Sequence, residues 1–342
     1  WTLHYTLQSL GLRLMGHQDF GEVFNQFVSN PWKPLVYQYV FLLLTHFVVA
    51  RGVESGIERF SKVMMPMLLV IIVLLSCFSL TMPGAYDGLN FLLKPDFSKV
   101  TTRVVLSAMG QAFFSLSVGI GCLATYASYF KKDTNLVKSA VGVCAIDSMV
   151  AIMSGFIIFP AAFSVAGVQV DSGPGLVYIT LPHVFNMAFE NIPFIGYLFS
   201  ALFYVLLLLA ALTSTISMHE IATAFIRENY KCSRQKSAVI VTLICIVLGT
   251  ACSLSFGPWA DIKIWGMGFF DLFDFLTAKF IMPLGGILIT MFVEWYLDRK
   301  LVVDELTTGG TVRVRGLRFL LFLIRWVAPI GVGIVFLNEL AG

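Results

Sequence analysis

The stretch that decides the fold is residues 107–130, SAMGQAFFSLSVGIGCLATYASYF. It is apolar enough to cross a bilayer, but Ser115, Ser117, Gly119 and Gly121 interrupt its middle, where leucine or isoleucine would favour a helix. The pattern predicts two half-helices joined by an unwound segment at membrane depth. Such a break is tolerated only inside protein or along a cavity, because hydrocarbon offers no water to the released peptide groups. There the peptide groups can bind an ion or a charged substrate group. The alternative is a continuous helix whose small residues allow close packing.

The composition is that of a membrane protein. Of the 342 residues, 58% are hydrophobic and 13% are charged, with a mean hydropathy of +0.84. Soluble domains carry about 25% charged residues, so we expect an all-α polytopic membrane protein. The net charge of +3 gives no reason to expect a nucleic-acid partner. The pair His219-Glu220 lacks the second histidine of an HExxH zinc site, which argues against an embedded hydrolase and against an enzyme of that kind.

The apolar segments and loops follow one another along the whole chain. In order they are an apolar tail at 1–16, a polar outer loop at 17–33, two spans within 34–82, an outer loop at 83–100, a series of spans within 101–300 with a long outer loop at 169–193, and an inner loop with a last span within 301–342. The first apolar segment is shorter than the roughly 20 residues that a span needs. We therefore expect it to be the tail of a span that begins upstream.

Lysine and arginine predict the orientation. Fifteen of the 23 basic residues lie in four loops, at 51–62, 131–138, 227–236 and 299–318. Basic loops face the cytoplasm. Pairs of spans between these loops give eight complete spans, a C-terminus outside, and a multi-pass protein of the cell's inner (plasma) membrane.

Asp147 is the most informative single residue, because a carboxylate inside a span is costly and marks a functional site by default. An aspartate, a serine hydroxyl and carbonyl oxygens supply the hard ligands that Na⁺ needs, by the same logic as for other hard cations. The alternatives are a charge that reaches the interface or a buried ion pair. No lysine or arginine lies within two helical turns of Asp147 on its own span.

A second polar group lies in the run AALTSTIS at 210–217. Adjacent hydroxyls at Thr213 and Ser214, with the Ala210 carbonyl, would form half of a cation site. Back-bonding of these hydroxyls to carbonyls one turn earlier, or packing between helices, is the alternative.

Two further features suggest moving parts. Gly56 and Pro66 flank the cytoplasmic start of one span, where a missing hydrogen bond and a weak turn would let the helix unwind. The alternative is an ordinary proline near a helix start.

Asp271 and Asp274 lie near the outer end of their span and are either solvated or part of a gate.

Taken together, several stretches resemble the neurotransmitter:sodium symporter family, and its bacterial amino-acid transporters in particular. GQAFFSLSVGIG followed by TYASY resembles the unwound sixth span, RGVESGIERFSKVMMP the start of the fifth, and LFDFLTAKFIMPLGG the bacterial tenth. GLNFLLKPDF, GPGLVYITLP and LAALTSTIS resemble the third outer loop, the fourth outer loop and the eighth span.

The resemblance implies the leucine-transporter-type inverted-repeat fold. Residues 1–16 would then be the tail of the third span, 34–82 would hold spans four and five, 101–300 spans six to ten, and 301–342 span eleven. Spans one and two and most of span three would be missing from this chain, and with them half of the substrate and sodium sites.

The resemblance also implies roles for single residues. The substrate site would be formed by an aromatic lid and by pocket residues: Phe114, Ser115, Ser117, Ile120, Ser214 and Met218. Two Na⁺ sites are expected. The first would use Ser115 and Asp147, and the second the Ala210 carbonyl with Thr213 and Ser214. Asp274 would form the outer gate, and the inner gate would use Ser128, Tyr129 and Glu228. Gly56 and Pro66 would belong to the segment that unwinds. Gly119 and Gly121 would expose the backbone at the broken helix.

One departure from the family bears on ion dependence. Asp147 falls where the family usually has an asparagine sodium ligand, and Ala151 falls where chloride-dependent members have a serine. Because an acidic residue supplies the negative charge that chloride otherwise brings, no chloride requirement is expected.

The visible pocket positions are apolar or small, which favours a zwitterionic amino acid with a hydrophobic side chain. The prediction is therefore sodium-coupled, chloride-independent symport of aliphatic or aromatic L-amino acids by alternating access, with the amino acid and the lipid bilayer as partners. Two alternatives stay open. Proton coupling on the same fold is one, because Asp147 could titrate. The other is a non-transporting membrane sensor or accessory subunit. The presence of Thr213, Ser214 and Asp147, the expected sodium ligands, argues against it.

Overall fold

The computed structural model describes residues 1–14, 19–164, 174–190 and 192–341. Parts of the predicted tail at 1–16 and of the predicted outer loops at 17–33 and 169–193 therefore lie outside the described residues. The described part is helical and contains no strand beyond an isolated bridge between Ile264 and Met267. The all-α prediction is confirmed.

The helices are numbered in chain order. They are α1 Thr2–Leu10, α2 Phe20–Val28, α3 Lys33–Ala50, α4 Arg59–Ser79, α5 Ala85–Leu93, α6 Thr102–Ser115, α7 Cys122–Ala127, α8 Leu136–Phe163, α9 Leu181–Ala188, α10 Pro193–Tyr230, α11 Arg234–Leu254, α12 Phe269–Asp274, α13 Met282–Met291, α14 Arg299–Leu306, α15 Leu317–Phe322 and α16 Ala328–Ala341. Wider π-helical turns adjoin some of them, at Val53–Glu58, Leu176–Thr180, Phe275–Ile281, Phe292–Tyr296 and Leu323–Val327, and a 3₁₀ turn lies at Phe97–Lys99.

Among the described residues, 7 continuous helical stretches are long and apolar enough to cross a membrane. They are Lys33–Ala50, Ser55–Ser79, Leu136–Phe163, Pro193–Tyr230, Arg234–Leu254, Phe269–Tyr296 and Leu317–Asn338. The predicted span at 107–130 is not one of them, because α6 ends at Ser115 and α7 begins only at Cys122. The chain is a multi-pass membrane protein.

The helix ends follow local chemistry. The Thr101 hydroxyl accepts a hydrogen bond from the Val104 amide at 3.3 Å and so caps α6. Ser233 does the same for α11, accepting from the Lys236 amide at 3.4 Å. A proline begins α10, where its missing N–H would have no partner within the helix.

The chain forms two compact units. The first comprises Trp1–Pro95 and Val150–Phe270, and the second comprises Asp96–Met149 and Asp271–Gly342. The long helix α8 contributes its first half to the second unit and its second half to the first.

In the first unit, the 38-residue helix α10 is the central element and packs against α1, α3, α4, α9 and α11. Its Phe199 and Tyr204 are buried with Tyr5 of α1 and Phe185 of α9. The Phe185 and Phe199 rings meet edge to face with centroids 4.9 Å apart. Because lipid tails are as apolar as these side chains, the helices are held by this packing and by polar links between them.

The strongest polar link in the first unit is a buried ion pair. Glu220 of α10 is fully buried, and Arg234 at the start of α11 donates to both of its carboxylate oxygens, at 3.1 and 2.5 Å. The Arg234 Nε also donates to the Val49 carbonyl near the end of α3, at 2.9 Å. One guanidinium therefore joins three helices at the predicted cytoplasmic end of this unit.

His219, the neighbour of Glu220, is also buried and bonded. Its Nε2 lies 2.9 Å from the Thr242 hydroxyl and its Nδ1 lies 3.1 Å from the Thr223 hydroxyl. Among the residues that the structure describes, no group of three or more histidine, cysteine, aspartate or glutamate side chains could hold a metal ion. The dipeptide His219-Glu220 thus links α10 to α11 through the hydroxyl of Thr242 and the guanidinium of Arg234.

In the second unit, three glycines let the unwound segment after α6 lie directly against α13. A Cβ at Gly119 would overlap the Met282 carbonyl oxygen and lie 2.8 Å from the Gly286 amide nitrogen. A Cβ at Gly285 would come within 2.5 Å of the Gly119 carbonyl oxygen, and one at Gly286 would meet the Phe113 ring at 2.5 Å. No residue with a side chain fits these positions without a shift of backbone or ring.

Replacing Glu220 by glutamine is expected to destabilise the protein strongly, because Arg234 then stays largely buried without its counter-charge. Breaking a buried ion pair in this way costs about 3–5 kcal/mol. The matched control is Glu58→Gln, which removes the partner of Lys62 in an exposed pair 2.6 Å apart and should change stability by about 1 kcal/mol or less. Denaturant unfolding of the full-length protein, followed by circular dichroism, compares the two. Equal stability of Glu220→Gln and the unchanged protein would contradict the role of the pair.

Alanine at Gly119 should be far more damaging than alanine at Gly121. Both glycines are left-handed, with φ of +93° and +86°, so a Cβ at either position strains the backbone by about 1–2 kcal/mol. Only Gly119 also faces the α13 backbone, since nothing lies within 4 Å of a Cβ at Gly121. Thermal melting of the two variants measures the difference. Equal melting temperatures would show that the contact with α13 does not constrain Gly119.

Candidate functional site

The break between α6 and α7 positions the first set of candidate residues. The backbone is left-handed at Ser117, Gly119 and Gly121, with φ of +52°, +93° and +86°, so the chain leaves the helical path at 116–121. The Leu116 amide still donates to the Ala112 carbonyl at 3.1 Å, and later amides of the segment bond back into the end of α6. The helix is thus interrupted where the sequence predicts.

Ser115 and Asp147 come together at this break. Ser115 is the last residue of α6 and Asp147 lies in the half of α8 that belongs to the second unit. The Ser115 hydroxyl donates to the Asp147 carboxylate at 2.7 Å. One carboxylate and one hydroxyl oxygen, from residues 32 positions apart in sequence, thus lie side by side. These are hard oxygen donors of the kind that Na⁺ takes.

Phe114 and Ile120 lie on either side of Ser115 along the chain. Phe114 is exposed, and Ile120 is half-buried with Ser117 in the unwound segment. Phe114 also lines a cavity of about 200 Å³ within the second unit, together with Gln111 and Met282. The Phe114 ring is therefore not locked in a core and has room to change its orientation.

The second set of candidates lies on α10, within the first unit. Ala210, Ser214 and Met218 are four residues apart and follow one face of this helix. Ser214 and Met218 are exposed. The Thr213 hydroxyl donates to the Leu209 and Ala210 carbonyls at 3.0 and 2.9 Å. Thr213 therefore back-bonds, as in the alternative that the sequence left open, while its oxygen keeps lone pairs beside the Ala210 carbonyl.

The predicted gate residues lie at helix ends. In the second unit, Asp274 is the exposed last residue of α12, just before the π-helical turn Phe275–Ile281. There too, Ser128 follows α7 and donates to the Thr125 carbonyl at 2.6 Å, with the exposed Tyr129 next to it. In the first unit, Glu228 is exposed near the end of α10. All four predicted gate residues therefore lie at exposed positions.

Gly56 lies in a distorted turn, as its predicted role in unwinding would require. It is buried within the π-helical turn Val53–Glu58, and the Gly52 carbonyl accepts from both the Gly56 and Ile57 amides at 3.1 Å. A Cβ at Gly56 would overlap the Val48 carbonyl. Pro66 lies inside α4 and has no N–H to bond one turn back. The segment is helical but widened, so it is neither a regular α-helix nor fully unwound.

Ala151 follows Asp147 by one turn along α8 and carries no hydroxyl. The sequence reasoning missed the packing role of Gly285 and Gly286. Two adjacent glycines inside an apolar span, directly after the Leu284 that follows Pro283, are a usable signal for close helix packing.

Comparison with known proteins gives matches over most of the chain. A model of the "Sodium:neurotransmitter symporter family" matches residues 23–341. An uncharacterized sodium-dependent transporter of Bacillus subtilis, YhdH, is 38% identical over 340 residues, covering 99% of this chain and 74% of the relative. An uncharacterized sodium-dependent transporter of Haemophilus influenzae is 30% identical over 313 residues, covering 91% of this chain but only 66% of the relative.

A solved structure shares the fold. The crystal structure of MhsT in complex with L-phenylalanine matches with a TM-score of 0.86 and 37% sequence identity, over 99% of this chain and 76% of that chain. This likeness confirms the predicted transporter fold. With a family match from residue 23 to residue 341, a helix broken at 116–121 and an oxygen pair at the break, the chain belongs to the sodium:neurotransmitter symporter family, which consists of transporters and not of enzymes.

Proposed function

We propose that this chain is the larger part of a sodium-coupled symporter of hydrophobic L-amino acids that works by alternating access and needs no chloride. The observation that carries the proposal is the hydrogen bond from Ser115 to Asp147 at the broken helix, 2.7 Å long. Since the chain spans about three quarters of its relative from Bacillus subtilis, the activity proposed is that of the whole protein.

Ser115 and Asp147 would hold one sodium ion. The Asp147 carboxylate supplies the negative charge and the Ser115 hydroxyl a neutral oxygen, which suits a small hard cation. The hydroxyl proton of Ser115 now points to Asp147. To offer its lone pair to a cation, the hydroxyl must rotate that proton away. The hydrogen bond therefore keeps both oxygens satisfied and close together until a cation binds between them and the hydroxyl proton turns away.

The face of α10 would hold the second sodium ion. The Ala210 carbonyl, Thr213 and Ser214 offer three oxygens within one turn, and the Thr213 oxygen is already fixed 2.9 Å from the Ala210 carbonyl. Because the Thr213 proton is directed at carbonyl oxygens, the free side of its oxygen carries lone pairs. Back-bonding of Thr213 therefore orients the hydroxyl for a cation and does not exclude one.

Chloride independence rests on the charge of Asp147. Symporters that use a neutral residue at this position need an anion near the sodium site, as the resemblance to the family implies. Here the negative charge belongs to the protein itself, and Ala151 offers no hydroxyl to a chloride ion.

The proposed substrate class follows from the apolar candidates. The exposed Phe114, Ile120 and the exposed Met218 offer apolar surface and no charge, which suits an aliphatic or aromatic side chain. The structurally similar MhsT was solved in complex with L-phenylalanine. Sodium and substrate together would shift the population between outward-facing and inward-facing states, because they bind these states with different affinity.

Uptake of labelled phenylalanine or leucine into proteoliposomes with the full-length protein tests this function. We expect uptake with a sodium gradient, with or without chloride, and none when choline replaces sodium. Uptake driven by a proton gradient without sodium would instead indicate the proton-coupled alternative, and no uptake of any amino acid would indicate a non-transporting protein.

The variant Asp147→Asn should weaken sodium activation and make uptake depend on chloride. Losing a charged ligand costs about 1.5–3 kcal/mol, which corresponds to a roughly 10- to 160-fold higher half-saturating sodium concentration. The control is Asp133→Asn, which removes a carboxylate of the same unit from an exposed loop. If both variants keep chloride-independent uptake with unchanged sodium activation, Asp147 does not hold sodium.

The variant Thr213→Val should raise the half-saturating sodium concentration about five- to tenfold, the effect of one neutral ligand of about 1 kcal/mol or slightly more. Thr215→Val is the matched control, because Thr215 also back-bonds, to the Ala211 carbonyl at 2.8 Å, without being a proposed ligand. Initial uptake rates measured against sodium concentration compare the two. An equal shift in both variants would mean that only the helix has been perturbed.

A further inference from the structure

A second cavity lies where α3 ends and α4 begins, beside the π-helical turn Val53–Glu58 and apart from the proposed substrate and sodium ligands. Its volume is about 250 Å³ and it belongs wholly to the first unit. The polar residues of its wall are Arg51, Ser55 and Arg59, and the apolar residues that line it include Phe60, Val63 and Met64. One small cavity thus combines two cationic side chains with an apolar surface.

Both arginines are available for a ligand. Arg51 directly follows α3 and Arg59 begins α4, and each reaches the wall of the cavity. Among the side chains that the structure describes, neither guanidinium forms an ion pair or a hydrogen bond. Nearby Lys62, in contrast, pairs with Glu58 at 2.6 Å. Two unneutralised guanidinium groups on one cavity favour a doubly hydrogen-bonded oxyanion such as a phosphate.

The size of the cavity and its surroundings distinguish a lipid from a soluble ligand. Sites for whole small molecules usually have about 300–1,000 Å³, so this cavity suits a headgroup. An exposed apolar row continues from it along α4, at Val63, Met67 and Val70, with 58%, 38% and 58% of each residue exposed. Residues at this spacing share one helix face. Acyl chains attached to a headgroup in the cavity would lie along that face.

The predicted orientation places this cavity at the cytoplasmic surface, because Arg51, Arg59 and Lys62 form one of the four basic loops. Anionic lipids of that leaflet gather at basic pockets between helices. We propose that the cavity binds the phosphate of an anionic phospholipid, with Arg51 and Arg59 on the phosphate and the acyl chains along α4. The same cavity borders Gly56, so a bound lipid would also hold the π-helical turn Val53–Glu58 in place.

Native mass spectrometry of the full-length protein with phosphatidylglycerol tests the proposal. In the variant carrying Arg51→Gln and Arg59→Gln, the affinity for the lipid should fall about 10-fold or more, because each basic group near an anionic surface adds to binding. The control carries Arg313→Gln and Arg315→Gln, an equal charge change at exposed arginines of another predicted cytoplasmic loop. The control should retain the lipid like the unchanged protein. Equal retention in all three proteins, or an equal loss in both variants, would overturn a specific site.

Three further measurements distinguish lipid binding from the binding of a soluble anion and from misfolding. Inorganic phosphate at millimolar concentration should not displace phosphatidylglycerol, and full displacement would point to a soluble anion instead. In phosphatidylcholine nanodiscs, the Arg51/Arg59 variant should have the same melting temperature as the unchanged protein. A lower melting temperature would mean that the variant loses the lipid because it is misfolded. Amide exchange across residues 52–58 should be slower in phosphatidylglycerol than in phosphatidylcholine. Exchange that is equal in both lipids would contradict contact between the lipid and this turn.

Discussion

Peptide groups that a helix break releases inside a membrane must find partners in the protein or in a cavity, because hydrocarbon offers none. This constraint governs the segment 116–121. Its first amides bond back into the end of α6, and the Ser115 hydroxyl donates a hydrogen bond to the Asp147 carboxylate. Gly119 lies against the α13 backbone at Gly285 and Gly286. Small residues and one carboxylate are therefore required around the break, and Ser115 and Asp147 among them are the proposed cation ligands.

The first unit differs, because its long helix α10 is unbroken and releases no peptide groups in its middle. It keeps its proposed ligands Ala210, Thr213 and Ser214 on regular helix, where a back-bonded hydroxyl has a fixed direction. The buried pair of Glu220 and Arg234 ties this helix to α11 and α3. The proposed ligands thus lie on a regular helix in one unit and beside a released backbone in the other, and both arrangements expose oxygen atoms within a membrane-spanning chain.

Sequence reasoning reached the features whose signal is local. Serines and glycines in an apolar run predicted the break, and a lone carboxylate in a span singled out Asp147. It did not reach contacts between distant segments. In the sequence, Glu220 and Arg234 look like ordinary charges near helix ends. Their ion pair is visible only in the folded chain, where the guanidinium meets the carboxylate. Likewise, the sequence around Gly56 predicts a disturbed helix but does not say whether the segment forms a π-helical turn or unwinds. Both conformations accommodate the backbone hydrogen bond that Pro66 cannot form.

We propose that Ser115 and Asp147 exchange their hydrogen bond for a shared sodium ion and that transport depends on this exchange. Thallium(I), which can replace sodium and scatters anomalously, makes the exchange directly visible. A crystal structure of the full-length protein with thallium(I) should show an anomalous peak within bonding distance of both the Ser115 hydroxyl and the Asp147 carboxylate, weakened by added sodium. A peak elsewhere, with the hydrogen bond between the two residues intact, would contradict the account.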